Sequence, residues 1–415
     1  MPPELLHDTA DGVTLDNSPT TPQNPIMTKR RRAVGSAVAL SLALTGATAC
    51  SAADRAVMTA PQCPDSSASP TAAPRVAGQA VLLGGVVRSS LPPGPIRGWE
   101  QVVSVADAGP ALAAVHPDGT VSVVGEDHRG LLAGTSAGPA AALPQKVPGV
   151  RDATSVAAVG GAFLTTHSDG SVTAWGDSFI ASGGVRGAER DQPTPSPVPD
   201  VENVIEVADG QLNVLALRSD GRLQGWGINL TQVIGEPDGT RVRTIRDVPG
   251  AVSVANPGGA AVIATSTGEV CAWGNNVHGL LGVEPRGGQS PRAVLVEGLT
   301  DIVQVAGGHD FALARDTGGR VWAWGRTVSG VLGDGETEDS STASPQQVVD
   351  VPPMDWIGAS EAASYGIDRT GNLWAWGGGH RVAPYAGEDR RPYRVPLPGP
   401  AQAVSGGVVL LGPAR

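Results

Sequence analysis

From Gly78 onward the chain is built of short apolar runs separated by turn residues at a regular interval. Phe311-Ala-Leu-Ala-Arg315 and Val321-Trp-Ala-Trp324 are two such runs, joined by Asp316-Thr-Gly-Gly-Arg320. Their length is that of strands, and the Asp-Gly or Thr-Gly between such runs supplies the positive φ of a tight hairpin. A third run precedes each hairpin, as in Asp301-Ile-Val-Gln-Val-Ala306, and a fourth follows in segments such as Pro291-Arg-Ala-Val294. Val-Trp-Ala-Trp is apolar on both sides, which predicts strands covered on both faces.

The four-run unit recurs six times. Its clearest copies are His116-Pro-Asp-Gly-Thr-Val-Ser-Val-Val-Gly125, His167-Ser-Asp-Gly-Ser-Val-Thr-Ala-Trp-Gly176 and Arg218-Ser-Asp-Gly-Arg-Leu-Gln-Gly-Trp-Gly227. In every copy a turn glycine stands six residues before the terminal one: Gly119 and Gly125, Gly170 and Gly176, Gly221 and Gly227, Gly268 and Gly274, Gly319 and Gly325, Gly371 and Gly377. A period of about 50 residues with four antiparallel strands per unit is a propeller blade. A seventh unit assembles from both ends, because Val404-Ser-Gly-Gly-Val-Val-Leu-Leu411 matches the run before the turn and Ala80-Val-Leu-Leu-Gly84 the run after it. The predicted fold is all-β: a seven-bladed β-propeller of four-stranded antiparallel blades, its ring closed by pairing of the N- and C-terminal segments, which removes exposed edges. The Trp before each terminal glycine is expected between blades.

The copy from Val305-Ala-Gly-Gly-His309 to Trp324-Gly325 and the copy Trp273-Gly-Asn-Asn-Val-His-Gly-Leu-Leu-Gly282 resemble the repeat of the regulator of chromosome condensation family. The resemblance covers the whole of residues 78–415 and implies a propeller. The family's best-known member is a nucleotide exchange factor for a small nuclear GTPase and binds chromatin. The features described next place this chain instead with bacterial exported propellers, and it is distantly similar to the secreted kind that inhibits β-lactamases through loops on one face.

Thr28-Lys-Arg-Arg-Arg32 precedes an uncharged stretch that ends in Ala47-Thr-Ala-Cys50. A basic n-region, an apolar h-region and a small-residue cleavage site predict a signal peptide over residues 27–49. Residues 1–26 then read as an extension or disordered segment ahead of a start at Met27. Cys50 is the lipidation candidate of a bacterial lipoprotein. The Ala-, Ser-, Pro- and Thr-rich residues 50–77 read as a flexible tether, followed by the propeller over 78–415. The expected location is extracellular or at the cell surface, with membrane contact only through the lipid.

Charge and chemistry narrow the function. With 40 acidic against 29 basic residues and a net charge of −11, a sequence-independent grip on phosphate backbones is excluded, so no nucleic acid partner is expected. The three cysteines are too few and uneven for a disulfide framework or zinc site, and Cys271, within a strand, reads as a small buried hydrophobe. The histidines lack metal spacing, so neither metal nor cofactor is assigned. Gly134-Thr-Ser-Ala-Gly138 has the letters of a nucleophile elbow without its strand-to-helix setting, and the acidic run over 334–339 reads as a solvated turn. No catalytic residue is assigned, and no enzyme is expected.

The function expected is a monomeric scaffold that binds another, unidentified protein at the cell envelope or outside the cell, in an inhibitor-like manner. Carbohydrate or cell-wall binding is the alternative, and an extracellular hydrolase or lyase a third reading. Recognition is expected in the loops after each Trp-Gly or Val-Gly pair, where sequence varies on a rigid frame. The candidates are Glu126, Asp127 and His128; Phe179; Asn229; Asn275, Asn276 and His278; Arg326; and His380 with Arg381.

Overall fold

The first strands of the chain belong to its last blade. β1 (Ala80–Leu82) and β2 (Gly94–Pro95) pair with each other and remain open on one side until the C-terminus arrives. Blade 1 follows as β3 (Ser104–Asp107), β4 (Ala111–Val115), β5 (Val121–Glu126) and β6 (Ala140–Lys146). Blade 2 is β7 (Ala153–Val159), β8 (Ala162–His167), β9 (Val172–Gly176) and β10 (Gln192–Pro197), and blade 3 is β11 (Val204–Ala208), β12 (Asn213–Arg218), β13 (Leu223–Gly227) and β14 (Arg243–Thr244). Blade 4 comprises β15 (Ala251–Ala255), β16 (Ala260–Thr265), β17 (Val270–Asn275) and β18 (Gln289–Leu295). Blade 5 comprises β19 (Ile302–Gly307), β20 (Phe311–Asp316), β21 (Val321–Thr327) and β22 (Ser340–Gln347). Blade 6 is β23 (Met354–Ala359), β24 (Ala363–Asp368), β25 (Leu373–Gly377) and β26 (Tyr393–Val395). β27 (Ala401–Ser405) and β28 (Val408–Leu411) then complete blade 7, with β28 seated between β27 and β1. This is the seven-bladed propeller and the terminal closure that the repeat predicts. The computed structural model describes residues 51–83, 91–135, 138–181, 183, 191–208, 210, 213–235, 241–327, 329–335, 340–378 and 391–413.

The apolar strands are explained by where the core lies. Among the described residues there are seven hydrophobic clusters, one at each interface between neighbouring blades. A strand in the middle of a blade meets such a cluster on both faces, so it carries no polar alternation. Trp175, Trp226, Trp273, Trp324 and Trp376 are all buried there, and their partners are described below.

Two further contacts tie each blade to the next. The carbonyl oxygen of the turn glycine in one blade accepts from the first amide of the next blade's inner strand, as in Gly119 with Ala153, Gly170 with Val204 and Gly268 with Ile302. Closer to the axis, side chains on one inner strand hydrogen-bond the backbone of the next. The Val156 amide donates to Ser104 Oγ at 3.2 Å, the Val305 amide to Ser253 Oγ at 3.1 Å, and the Ile357 amide to Gln304 Oε1 at 3.1 Å. Most inner strands carry a register shift beside these residues, as between Ala251 and Ser253 and between Ile302 and Gln304. A bulge of this kind re-aims a side chain, here toward the neighbouring blade.

The segment expected to be a flexible tether is instead laid along the propeller. α1 (Ala52–Thr59) begins with a capping box between Ser51 and Asp54 and buries Val57 in the cluster between blades 4 and 5. Gln62 then forms a bridge with Val294, and Cys63 is disulfide-bonded to Cys271, with Cα atoms 5.8 Å apart. The reading of Cys271 as an unbonded hydrophobe is corrected accordingly: it is fully buried, but half of a cross-link. Low-complexity composition misleads here because small residues suit close backbone docking as well as they suit disorder. Gly78 bridges Val102 as the chain enters β1. Cys50 and residues 1–49 lie outside the described residues.

Candidate functional site

Antiparallel order divides the propeller's ends into two faces. The hairpin turns within blades and the blade-to-blade links share one, called the turn face. The opposite, loop face carries the connections that follow β5, β9, β13, β17, β21 and β25 together with the turns leaving each inner strand. Glycine environments show how tightly the loop face is assembled: a Cβ on Gly259 would stand 3.1 Å from Thr231 of blade 3, and one on Gly258 would stand 2.3 Å from the carbonyl oxygen of His309 in blade 5.

The loops are built on the preceding strand and pinned from the following blade. Each indole N–H donates to a carbonyl of the previous blade's loop: Trp175 to Leu131 at 2.9 Å, Trp226 to Ile180 at 3.0 Å, Trp273 to Val233 at 2.7 Å, Trp324 to Leu280 at 3.0 Å and Trp376 to Val331 at 2.9 Å. A second brace lies within the loop. Asp127, Asn229 and Asn276, each two residues after the terminal glycine, accept from the amide five residues later, namely Leu132, Ile234 and Leu281.

These braces reassign several candidate residues. Asn276 is 0% exposed and also donates to the Val283 carbonyl, so no partner reaches it. Asn229 spends its amide on the Gly235 carbonyl at 2.7 Å, and Asn275 accepts from the Val277 amide. Asp127, though exposed, is the loop's own cap, while Glu126 and His128 are exposed beside it. Phe179 lies on the short helix α2 (Ser178–Ala181), with its side chain outside the described residues, as are His380 and Arg381. The structure does bring His278 and Arg326 together: His278 Nε2 is 3.8 Å, and Arg326 Nη1 3.4 Å, from Asp310 Oδ2, which His309 also approaches at 3.7 Å. Arg286 bonds the Ser341 carbonyl next to His278 and pairs with Glu284.

Leu230, Val277 and Ile228 were not among the candidates, whose one apolar member was Phe179. Leu230 is 76% and Val277 53% exposed, on loops of neighbouring blades, with Ile228 also exposed. Each sits between polar residues that dominate the local pattern, and only exposure in the fold distinguishes them from core.

A groove of about 740 Å³ beside blade 1 is lined by Arg97, Gln101, His116, Leu143, Pro144 and Lys146. In it His116 Nε2 meets Ser122 Oγ at 2.7 Å, the spacing of a nucleophile and its base. Ser122 is buried, however, and its oxygen also accepts the Trp99 indole N–H at 2.7 Å. Burial, with a smaller opposing effect of Asp118, holds the His116 pKa below 6.5. His167 and Thr173 repeat the pair in blade 2 at 2.8 Å. A couple that recurs at the same two repeat positions is a hairpin brace. The described residues also contain no group of three or more His, Cys, Asp or Glu placed to hold a metal. The fold defines the class of protein as a seven-bladed β-propeller of four-stranded blades.

Comparison with known proteins agrees with this class. Residues 267–315 and 302–330 match the regulator of chromosome condensation (RCC1) repeat, supporting the repeat family expected from the sequence. The chain is similar to human E3 ubiquitin-protein ligase HERC2, 27% identical over 236 residues that make up 52% of this chain and 5% of that protein. It is also 27% identical over 204 residues to Protein pim1 of Schizosaccharomyces pombe, covering 42% of this chain and 37% of that one. The chain therefore spans about a twentieth of HERC2. Among solved structures, yeast RCC1 (Prp20) bound to Kap60 superposes with a TM-score of 0.70 at 18% identity, covering 82% of this chain and 89% of that one. Human WBSCR16 superposes with a TM-score of 0.66 at 19% identity, covering 82% and 100%.

These findings correct the reading of a bacterial, exported protein. The relatives named are proteins of human and fission yeast, one of them a ubiquitin ligase. Signal peptide, lipid anchor, secretion and action at the cell envelope are accordingly withdrawn, together with the inhibitor analogy. A basic run followed by sixteen uncharged residues is a short pattern with little information, whereas the repeat depends on register held across the whole ring.

Proposed function

We propose that this protein is an interaction propeller that binds another protein on its loop face, over blades 3 to 5. The observation that carries the reading is the exposure of Leu230 and Val277 on adjacent blades, beside the basic group of His278, His309 and Arg326 around Asp310. Apolar anchors rimmed by directed polar groups are the usual anatomy of a recognition surface. The partner that fits is a protein segment with an apolar side chain flanked by acidic ones. Proteins of this fold support the reading, since Prp20 has been seen bound to Kap60 and has binding properties toward Gsp1p and histones.

The test compares capture of partners from extract by the full chain, by Leu230→Ala/Val277→Ala/Arg326→Ala, and by Leu143→Ala/Val349→Ala as a control of exposed apolar residues elsewhere. A hot-spot residue costs about 2 kcal/mol or more on truncation, so the first variant should lose its partner and the control retain it. Retention by the triple variant refutes the placement.

A further inference from the structure

The outer edge of blade 4 is bridged by a segment from outside the blade. The Leu295 amide donates to the Pro61 carbonyl at 2.8 Å and the Cys63 amide to the Ala293 carbonyl at 3.2 Å, extending the sheet beyond β18. The segment then turns onto the turn face, where the Gly250 amide donates to the Ser66 carbonyl at 2.9 Å and Ser266 Oγ to the Ser67 carbonyl at 2.7 Å. Ala68 fills a notch between blades 3 and 4: a Cβ on Gly221 would lie 2.8 Å from its Cβ, and one on Gly250 would lie 2.6 Å from its amide nitrogen. The residues corresponding to Gly250 at other junctions are Asp152, Asn203, Asp301, Pro353 and Pro400. Those junctions are closed by the blade's own backbone, as Asp152 is against Gly119 and Asn203 against Gly170. The junction at Gly250 alone among these is opened by a glycine and filled by a distant segment.

Cys271 belongs to the same arrangement. It stands six residues after Thr265, the place taken by Ser122, Thr173 and Gln224 in blades 1 to 3, where Ser122 and Thr173 brace their own hairpins and Gln224 braces the link entering its blade at Asp200 and Glu202. In blade 4 that side chain leaves the hairpin and bonds Cys63. Apart from this bond, residues 61–68 are held by a few hydrogen bonds and the burial of one alanine methyl group.

We propose that the outer edge of β18 and the Gly221–Gly250 notch form a groove for an extended peptide with a small side chain at the notch, that residues 61–68 occupy it as the chain's own ligand, and that reduction of Cys63–Cys271 opens it. Recognition is by strand addition, with main-chain hydrogen bonds to Ala293, Leu295 and Gly250 and with the notch selecting Ala, Ser or Gly. The reductant is a dithiol. Its thiolate attacks the sulfur of Cys63, the less buried residue of the pair, Cys271 departs with the bonding pair and takes up a proton, and the second thiol displaces Cys63 as a thiol. The dithiol leaves as a disulfide, having delivered two electrons and two protons. This groove lies on the turn face and outer edge and is independent of the loop-face reading.

Hydrogen exchange on the full chain before and after dithiothreitol follows the amides of Cys63, Gly250 and Leu295. Their exchange should rise by about thirty- to a thousandfold, the factor corresponding to a typical disulfide contribution, while amides of β16 keep their rates. Unchanged rates at the three groove amides overturn the proposal. In a second measurement, full-length Cys50→Ser/Cys63→Ser, whose one thiol is Cys271, is mixed with a peptide of residues 59–70 whose cysteine carries a thiopyridyl leaving group, and intact mass reads the adduct. Labelling about tenfold or more faster than by a scrambled peptide, one decade of preference, is expected, and Gly250→Asp in the same background should remove that preference. No adduct, equal rates for the two peptides, or undiminished labelling of the Gly250→Asp form each refutes the groove.

Discussion

The indole N–H of Trp324 in blade 5 donates to the carbonyl oxygen of Leu280 in blade 4 at 3.0 Å, with both residues buried. The bond joins the core of one blade to the recognition loop of its neighbour. Trp324→Phe removes the donor and leaves a buried carbonyl unsatisfied, a loss of about 1–3 kcal/mol. Trp324→Ala adds a cavity and should cost about 3–5 kcal/mol. Denaturant titration orders the two, and equal stability of Trp324→Phe and wild type would show that the loop contact contributes nothing.

Turn glycines are predicted to differ by what stands against them. Gly170 has φ +79° and a Cβ there would lie 2.6 Å from the Asn203 Cα, whereas Gly149 has φ +77° with nothing within 4 Å. Both Ala variants carry the left-handed penalty of about 1 kcal/mol. Gly170→Ala must also push blade 3 away, so its melting temperature should fall clearly further than that of Gly149→Ala.

Acid should weaken blade 6 through Asp368. Burial raises its pKa, but hydrogen bonds from Thr370, Asn372 and Trp374 outweigh burial and bring it from 3.8 down to about 2. A carboxylate depressed in the folded state contributes stability that is complete above its unfolded pKa and is lost as pH falls through the folded one. The loss therefore lies between about pH 4 and pH 2. Asp368→Asn should be less stable at pH 7 and show a shallower decline across that window, as read by urea titrations at several pH values.

Closure is predicted to be required for folding. β28 bonds β1 on one side and β27 on the other, so deleting residues 408–415 exposes both edges and removes Val409 and Leu411 from one interfacial cluster and Val408 and Leu410 from another. Such edges invite association. The truncated protein should lose its cooperative melt and aggregate, and a melt like that of the full chain would mean that blade 7 is dispensable.

The repeat was legible in the sequence because its signals are local. A hairpin turn, an apolar run and a terminal Trp-Gly lie within about ten residues, and their recurrence determines the blade, its four strands, the number of blades and the terminal closure. The position of the tryptophans between blades followed from the same pattern, since strands apolar on both sides need cover on both sides. Only tertiary structure decided the rest, because it depends on residues brought together through space. Cys63 and Cys271 are 208 residues apart, and nothing near either one marks the other. Asn276 and Val277 adjoin in a loop whose composition suggested polar recognition, yet the fold buries the amide as a brace and exposes the valine. The direction of a side chain in such a loop is set by backbone hydrogen bonds to Leu281 and Val283, which no pattern of hydrophobic and polar letters records.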